Sequence, residues 1–110
     1  MQEIRFLVQG SAADPYETIF IKDGDKLSAF CTCAAGIHGQ YCKHRFGILG
    51  GDDRAVVSEN AGEVKKVVAW LVGTELEEAM KDYVSAETDF NNAKNRLAKI
   101  KKIVARTMMS

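Results

Sequence analysis

Cys31-Thr32-Cys33 and Cys42-Lys43-His44 carry all three cysteines and one of the two histidines of this 110-residue chain. Thiolate sulfur and imidazole nitrogen are ligands that Zn²⁺ prefers, and a Cys₃His tetrahedron closed by four protein ligands is a structural site with no open position for water. Each short pair sets two ligands at neighbouring backbone positions, and the loop of residues 34–41 lets the two pairs meet around one ion. The spacing therefore predicts one structural zinc held by Cys31, Cys33, Cys42 and His44. His38 lies inside the loop, but the C-x-H register favours His44, and His38 is expected on the surface. With the thiols committed to metal, no nucleophile–base constellation remains, and the expectation is a protein that is not an enzyme.

Ligands at this spacing need elements to hold them. Ile4 to Val8 is an apolar, β-favouring run, and Pro15 ends the loop that follows it. Tyr16 to Lys22 is rich in β-branched and aromatic residues and reads as a second strand. Asp23-Gly24-Asp25 is a hairpin turn signal, because Gly24 takes positive φ without steric cost. Lys26 to Cys33 is then a third strand that delivers Cys31 and Cys33 to one face, two residues apart. Ala34 to Tyr41 reads as a flexible ligand loop and Cys42 to Leu49 as a short helix, with Phe46, Ile48 and Leu49 covering the site. Gly50-Gly51-Asp52-Asp53 makes the clearest boundary in the chain.

The second half reads as helical. Asn60 and Glu63 cap a helix running to about Val72, with Val64, Val67, Val68, Leu71 and Val72 on one stripe. Gly73 suits the C′ position, and Thr74-Glu75-Leu76-Glu77 is a capping box for the next helix. From there a heptad persists, with Leu76, Tyr83, Phe90, Leu97 and Val104 at one core position and Ala79, Ala86, Ala93, Ile100 and Thr107 at the other. The absence of Gly and Pro argues for one helix of roughly 33 residues, about 50 Å long. Such a helix calls for a partner along that seam, either a second copy of the chain or a helical protein. Trp70 is expected to pack or to lie at an interface. The fold class is α+β: a three-stranded zinc module over residues 1–50, then a helical hairpin with a long coiled-coil-like helix over residues 55–110.

Composition narrows the class further. No apolar run approaches the ~18 residues a membrane span needs. Residues 1–5 lack the basic and apolar regions of a signal peptide. Three cysteines in such a chain suit a reducing, cytoplasmic compartment, where thiols bind metal more often than they pair. Net charge is zero, so bulk charge does not announce a nucleic-acid binder. Its distribution is dipolar: residues 59–89 hold eight acids against three lysines, and residues 94–110 hold six bases and no acid.

Phe30-Cys31-Thr32-Cys33 and Gly39-Gln40-Tyr41-Cys42-Lys43-His44-Arg45, after a Tyr16-x-x-Ile19-Phe20 strand core, resemble the SWIM zinc finger over residues 4–49. That family is marked by C-x-C, a variable loop and C-x-H, with a β-hairpin before and a short helix after. Carried over position by position, its zinc ligands fall on Cys31, Cys33, Cys42 and His44. Family members occur in helicase-associated, transposase-like and ubiquitin-pathway proteins and bind DNA or protein. No helicase or transposase domain accompanies the finger-like segment, so the resemblance implies a freestanding module or a subunit.

Two functions follow as expectations. The first is a DNA-associated accessory protein acting as a dimer, with phosphate contacts from Lys22, Lys26, Tyr41, Lys43 and Arg45 and from Lys99 and Lys102 on the long helix. The second is an adaptor or inhibitor that docks on a larger complex through Leu76, Tyr83, Phe90, Leu97 and Val104. Opposite charges along the helix suit an antiparallel partner. Neither a membrane nor a small-molecule substrate is expected.

Overall fold

The computed structural model describes all residues, Met1–Ser110, and the contacts divide the chain into two units, Met1–Glu77 and Glu78–Ser110. In the first unit three antiparallel strands, β1 (Gln2–Val8), β2 (Tyr16–Asp23) and β3 (Lys26–Cys31), form a sheet in the order β1-β2-β3. Alternation decides what each strand buries. Ile4, Phe6 and Val8 of β1, Thr18 and Phe20 of β2, and Leu27 and Cys31 of β3 point to the covered face. The register sets Phe6 opposite Thr18 and Thr18 opposite Cys31, so the core row leads straight to the first ligand. Phe6 and Phe20 meet edge to face at 5.9 Å. The β2–β3 turn has Gly24 at φ +61°, which glycine adopts without a Cβ clash.

The chain beyond β3 departs from the predicted loop. Ala34–Ile37 form a one-turn helix, α1, because the Cys33 side chain accepts the Gly36 backbone N–H and caps it. β3 accordingly ends at Cys31, although Thr32 still donates its backbone N–H to Glu17 O. The predicted short helix is present as α2 (Lys43–Leu49), with Ile48 and Leu49 buried.

Residues 50–53 turn the chain but do not divide it. Beyond the turn, the backbone N–H of Val57 donates to Leu7 O and that of Gln9 donates to Ala55 O, each at 2.8 Å. Asn60 Nδ2 donates to Arg5 O at 2.7 Å. Residues 55–60 thus lie along the open edge of β1 and satisfy backbone groups an edge strand leaves unpaired. With these contacts, and with the helix Val64–Leu71 packed on α2, the first unit extends to Glu77, past the division expected near residues 50–55. Asn60 also departs from expectation. It makes no side-chain cap, and the helix begins as a 3₁₀ turn, Ala61–Glu63, before α3 (Val64–Leu71). Val64 and Val67 are buried where α3 packs on α2, whereas Val68 and Val72 of the predicted stripe are exposed.

Gly73 takes φ +82°, and Thr74 caps α4 (Glu75–Met108). Thr74 Oγ1 accepts the Glu77 backbone N–H at 3.3 Å, and Glu77 Oε1 accepts that of Gly73 at 3.2 Å. The predicted capping box forms, with its second bond one residue earlier than usual. All but the first turn of α4 makes up the second unit. Every residue from Val84 onward is exposed there. No helix is long and apolar enough to cross a membrane.

Candidate metal centre

Four side chains from three elements converge at one end of the sheet. Cys31 comes from the last residue of β3, Cys33 from the α1 cap, Cys42 from the α2 cap and His44 from the first turn of α2. All four are buried, and their ligand atoms lie within 4.8 Å of one another. The Sγ atoms of Cys33 and Cys42 are 3.4 Å apart. His44 Nδ1 lies 3.5 Å from Cys42 Sγ and 3.7 Å from Cys31 Sγ. The three thiols are free of disulfides, and the cluster could hold one metal ion. His38 is exposed and takes no part.

Buried donors need orientation, and neighbours from distant parts of the sequence provide it. The hydroxyl of Thr18, fully buried in β2, donates to Cys31 Sγ at 3.5 Å. The backbone N–H of Gly36 donates to Cys33 Sγ at 3.2 Å. Tyr16 packs against the His44 ring with centroids 5.1 Å apart. A Cβ on Gly10 would stand 2.5 Å from the Tyr16 ring and 3.0 Å from His44 Nε2, so only glycine lets the chain pass here. These contacts hold the imidazole with Nδ1 toward the sulfurs. Nε2 is buried without a hydrogen-bond partner.

The electrostatics separate the thiols. Burial pushes the Cys31 thiol up to about 11, against the lowering effect of nearby donors. Burial also opposes the Cys42 thiolate, but the Arg45 backbone N–H, the Cys33 thiol and the Arg45 guanidinium outweigh it and bring Cys42 down to about 6. A site that keeps one thiolate ready near neutral pH is suited to a cation.

The remaining candidates are dispersed. Lys22 and Lys26 flank the β2–β3 turn, where Lys22 Nζ donates to Gly24 O. That turn lies at the far end of β3 from Cys31, about 17 Å along a six-residue strand. Lys43, Arg45 and Tyr41 sit beside the cluster instead, so the structure does not bring the five residues into one patch. Arg45 also closes the ligand loop by donating from its guanidinium to Gln40 O. Tyr41 packs on Phe46 with ring centroids 4.7 Å apart. Lys99 and Lys102 lie exposed on α4, as do Phe90, Leu97 and Val104, while Leu76 and Tyr83 near its start are half-buried.

Gly36, Thr18, Tyr16 and Gly10 were not among the expected site residues, although Tyr16 belongs to the strand core of the resemblance. Gly36 alone left a local signal, since a glycine three residues after Cys33 fits a backbone N–H turned back onto a sulfur. The other three meet the site only through the fold. Compared with models of known protein families, with curated proteins and with solved structures, the chain matches none.

Proposed function

We propose that this protein is a non-enzymatic zinc module of the SWIM type that carries an interaction helix, α4. The donor set supports zinc. Three sulfurs and one imidazole nitrogen are soft-to-borderline ligands. A tetrahedron with metal–sulfur bonds of ~2.3 Å has edges of roughly 3.6–3.8 Å; three of the six ligand-atom separations are 3.4, 3.5 and 3.7 Å, and all lie within 4.8 Å. Zinc would link β3, α1 and α2, and four protein ligands would leave no position for a reacting water, so its role is structural. The hairpin before the C-x-C pair and the short helix after the C-x-H pair support the SWIM reading. The free thiols suit a reducing compartment.

The single observation that carries the interaction role is the exposed apolar stripe of α4. Phe90, Leu97, Ile100 and Val104 are 65%, 53%, 41% and 46% exposed. A solitary helix of this length gains little from propensity alone, and its stripe is most stable against another helix. The acid-free segment from Lys94 to Arg106 favours a second reading, a DNA-associated accessory protein. The basic residues around the metal centre add little to it, because Lys22 and Lys26 lie at the other end of the hairpin.

Metal analysis tests the zinc. The purified chain should carry one equivalent and Cys42→Ser should lose it, together with amide protection around α1 and α2. Full zinc retention by that variant would remove the assignment. For the helix, a protein partner recovered by the parent chain should be lost in Leu97→Asp/Val104→Asp with the zinc still bound. The DNA reading requires affinity that falls steeply with log salt and flattens in Lys99→Gln/Lys102→Gln. Absence of any mobility shift at low salt would eliminate it.

A further inference from the structure

The two ends of α4 have opposite charge, and its core positions alternate in size. Taken together, these features specify the partner. With Leu76, Tyr83, Phe90, Leu97 and Val104 at heptad position a, Ala79, Ala86, Ala93, Ile100 and Thr107 fall at d. The e flank then carries Glu87 and Lys94, followed by Lys101. The g flank carries Asp82, Asp89 and Arg96. None of these flanking residues is buried, and no salt bridge within the chain engages Asp82, Glu87, Asp89, Lys94, Arg96 or Lys101, although Glu87 accepts the Tyr83 hydroxyl at 2.7 Å.

We infer that α4 pairs antiparallel with α4 of a second copy of the chain, about a two-fold axis passing between residues 91 and 92. This deepens the proposed function and rests on its reading of α4 as the interaction element.

Side-chain size favours the antiparallel orientation. In an antiparallel pair, a residues meet d residues of the partner. Centred on this axis, Phe90 faces the partner's Ala93, Leu97 faces the partner's Ala86, and Val104 faces the partner's Ala79. Each of these three layers then couples one large and one small side chain, which fills space evenly, whereas Tyr83 meets the larger Ile100 of the partner. In a parallel pair, like positions meet. Phe90 would crowd Phe90 while Ala86 met Ala86 across a gap, and both overfilled and underfilled layers are unfavourable.

The flanking charges independently favour the same orientation. In the antiparallel pair each flank lies beside the same flank of the partner. Glu87 then meets the partner's Lys94, and Asp89 meets the partner's Arg96, each contact being made twice by the symmetry. In the parallel pair, g residues meet the e residues of the partner's next turn. Asp89 would still find Lys94, but Asp82 would face Glu87 and Arg96 would face Lys101. Antiparallel pairing makes only opposite-charge contacts among these residues, whereas parallel pairing makes more like-charge than opposite-charge ones. Such flanking contacts select orientation and partner more than they supply affinity.

The test uses the 110-residue chain in sedimentation equilibrium at low ionic strength, where exposed charges are least screened. The parent should be a dimer. Glu87→Lys/Asp89→Lys and Lys94→Glu/Arg96→Glu should each weaken self-association by about tenfold or more, with helix content unchanged by circular dichroism. An equimolar mixture of the two variants should recover the dimer. Orientation is read separately by mild oxidation. Ala79→Cys mixed with Val104→Cys should give a disulfide-linked heterodimer, and Ala79→Cys alone should give little homodimer. A parent that stays monomeric at every concentration refutes the self-pairing, as does a dimer indifferent to the charge reversals. Preferential Ala79→Cys self-linkage refutes the antiparallel orientation. A monomer that still loses another protein in Leu97→Asp/Val104→Asp would refute this inference alone and leave the interaction role of α4 intact.

Discussion

Gly36→Ala tests how closely the α1 turn is built around the metal centre. A Cβ at this position would stand 2.5 Å from the Cys31 carbonyl oxygen and 2.8 Å from Cys31 Cβ. Neither atom is the end of a flexible side chain, so no rotamer change relieves the contact, and either the turn or Cys31 must shift. Overpacking of this kind costs ~1–3 kcal/mol. The shift also weakens the Gly36 N–H···Sγ bond to Cys33, and a bond to a charged sulfur is worth ~1.5–3 kcal/mol. Against this, alanine gains ~0.5–1 kcal/mol over glycine in a helix. With modest values for each effect the clash wins by about 2 kcal/mol, roughly a 30-fold loss in zinc affinity. The loss should appear in binding because the added methyl presses on Cys31 while the displaced turn carries Cys33, so two candidate ligands move apart. Gly47→Ala in α2 is the control. Nothing lies within 4 Å of its Cβ position, so the same substitution there should raise stability by ~0.5–1 kcal/mol without changing zinc affinity. Competition against a chromophoric chelator measures both affinities, and thermal melts follow the stability. If Gly36→Ala binds zinc as the parent does and melts no lower than Gly47→Ala, the account of the turn is wrong.

Thr18→Val keeps the shape of the strand but removes the hydroxyl that donates to Cys31 Sγ; zinc affinity should fall about tenfold, a charge-assisted bond being worth ~1.5–3 kcal/mol, with the hairpin still folded by circular dichroism. Zinc affinity should rise with pH, because bound sulfurs are deprotonated, and each proton released changes affinity about tenfold per pH unit. The Cys31 thiol at about 11 contributes across the neutral range, whereas Cys42 at about 6 adds to the slope only below that pH; a plot of log affinity against pH that does not steepen as pH falls through 6 would contradict this order. Asn60→Ala removes the bond to Arg5 O and leaves the β1 edge partly uncovered; denaturant unfolding should show a loss of about 1–2 kcal/mol, with faster amide exchange in β1 and residues 55–60.

Locally encoded elements were legible in the sequence. The hairpin followed from strand alternation and the Asp-Gly turn, and α2 from the register behind Cys42. The long helix followed from uninterrupted heptads bracketed by Gly73 and the Thr74–Glu77 box, and it ends at Met108. α1 was missed because its cap is a cysteine sulfur, outside the usual set of capping side chains. Asn60 was misread for a related reason. Its side chain donates to a strand carbonyl 55 residues earlier and to the Glu63 carboxylate, leaving the backbone of the helix that follows without a side-chain cap, and no sequence window registers that competition.

The four candidate ligands, with β3 for Cys31 and α2 for His44, were legible in residue type and spacing, because a strand end and a helix start are short-range geometry; Cys33, expected on the strand, fell instead on the cap of α1. Only the tertiary structure decided what surrounds them. Thr18, Tyr16, Gly10 and Gly36 reach the cluster through pairing and packing between separated segments. Residues 55–60 join the first unit because β1 would otherwise have an open edge. The basic residues near the ligands in sequence fell at opposite ends of the hairpin, because a six-residue strand is long compared with the reach of a phosphate contact. The heptad of α4 was plain in the sequence, but only the structure shows that its seam is half-buried at Leu76 and Tyr83 and exposed from Phe90 onward, the core of the first unit being built from other residues.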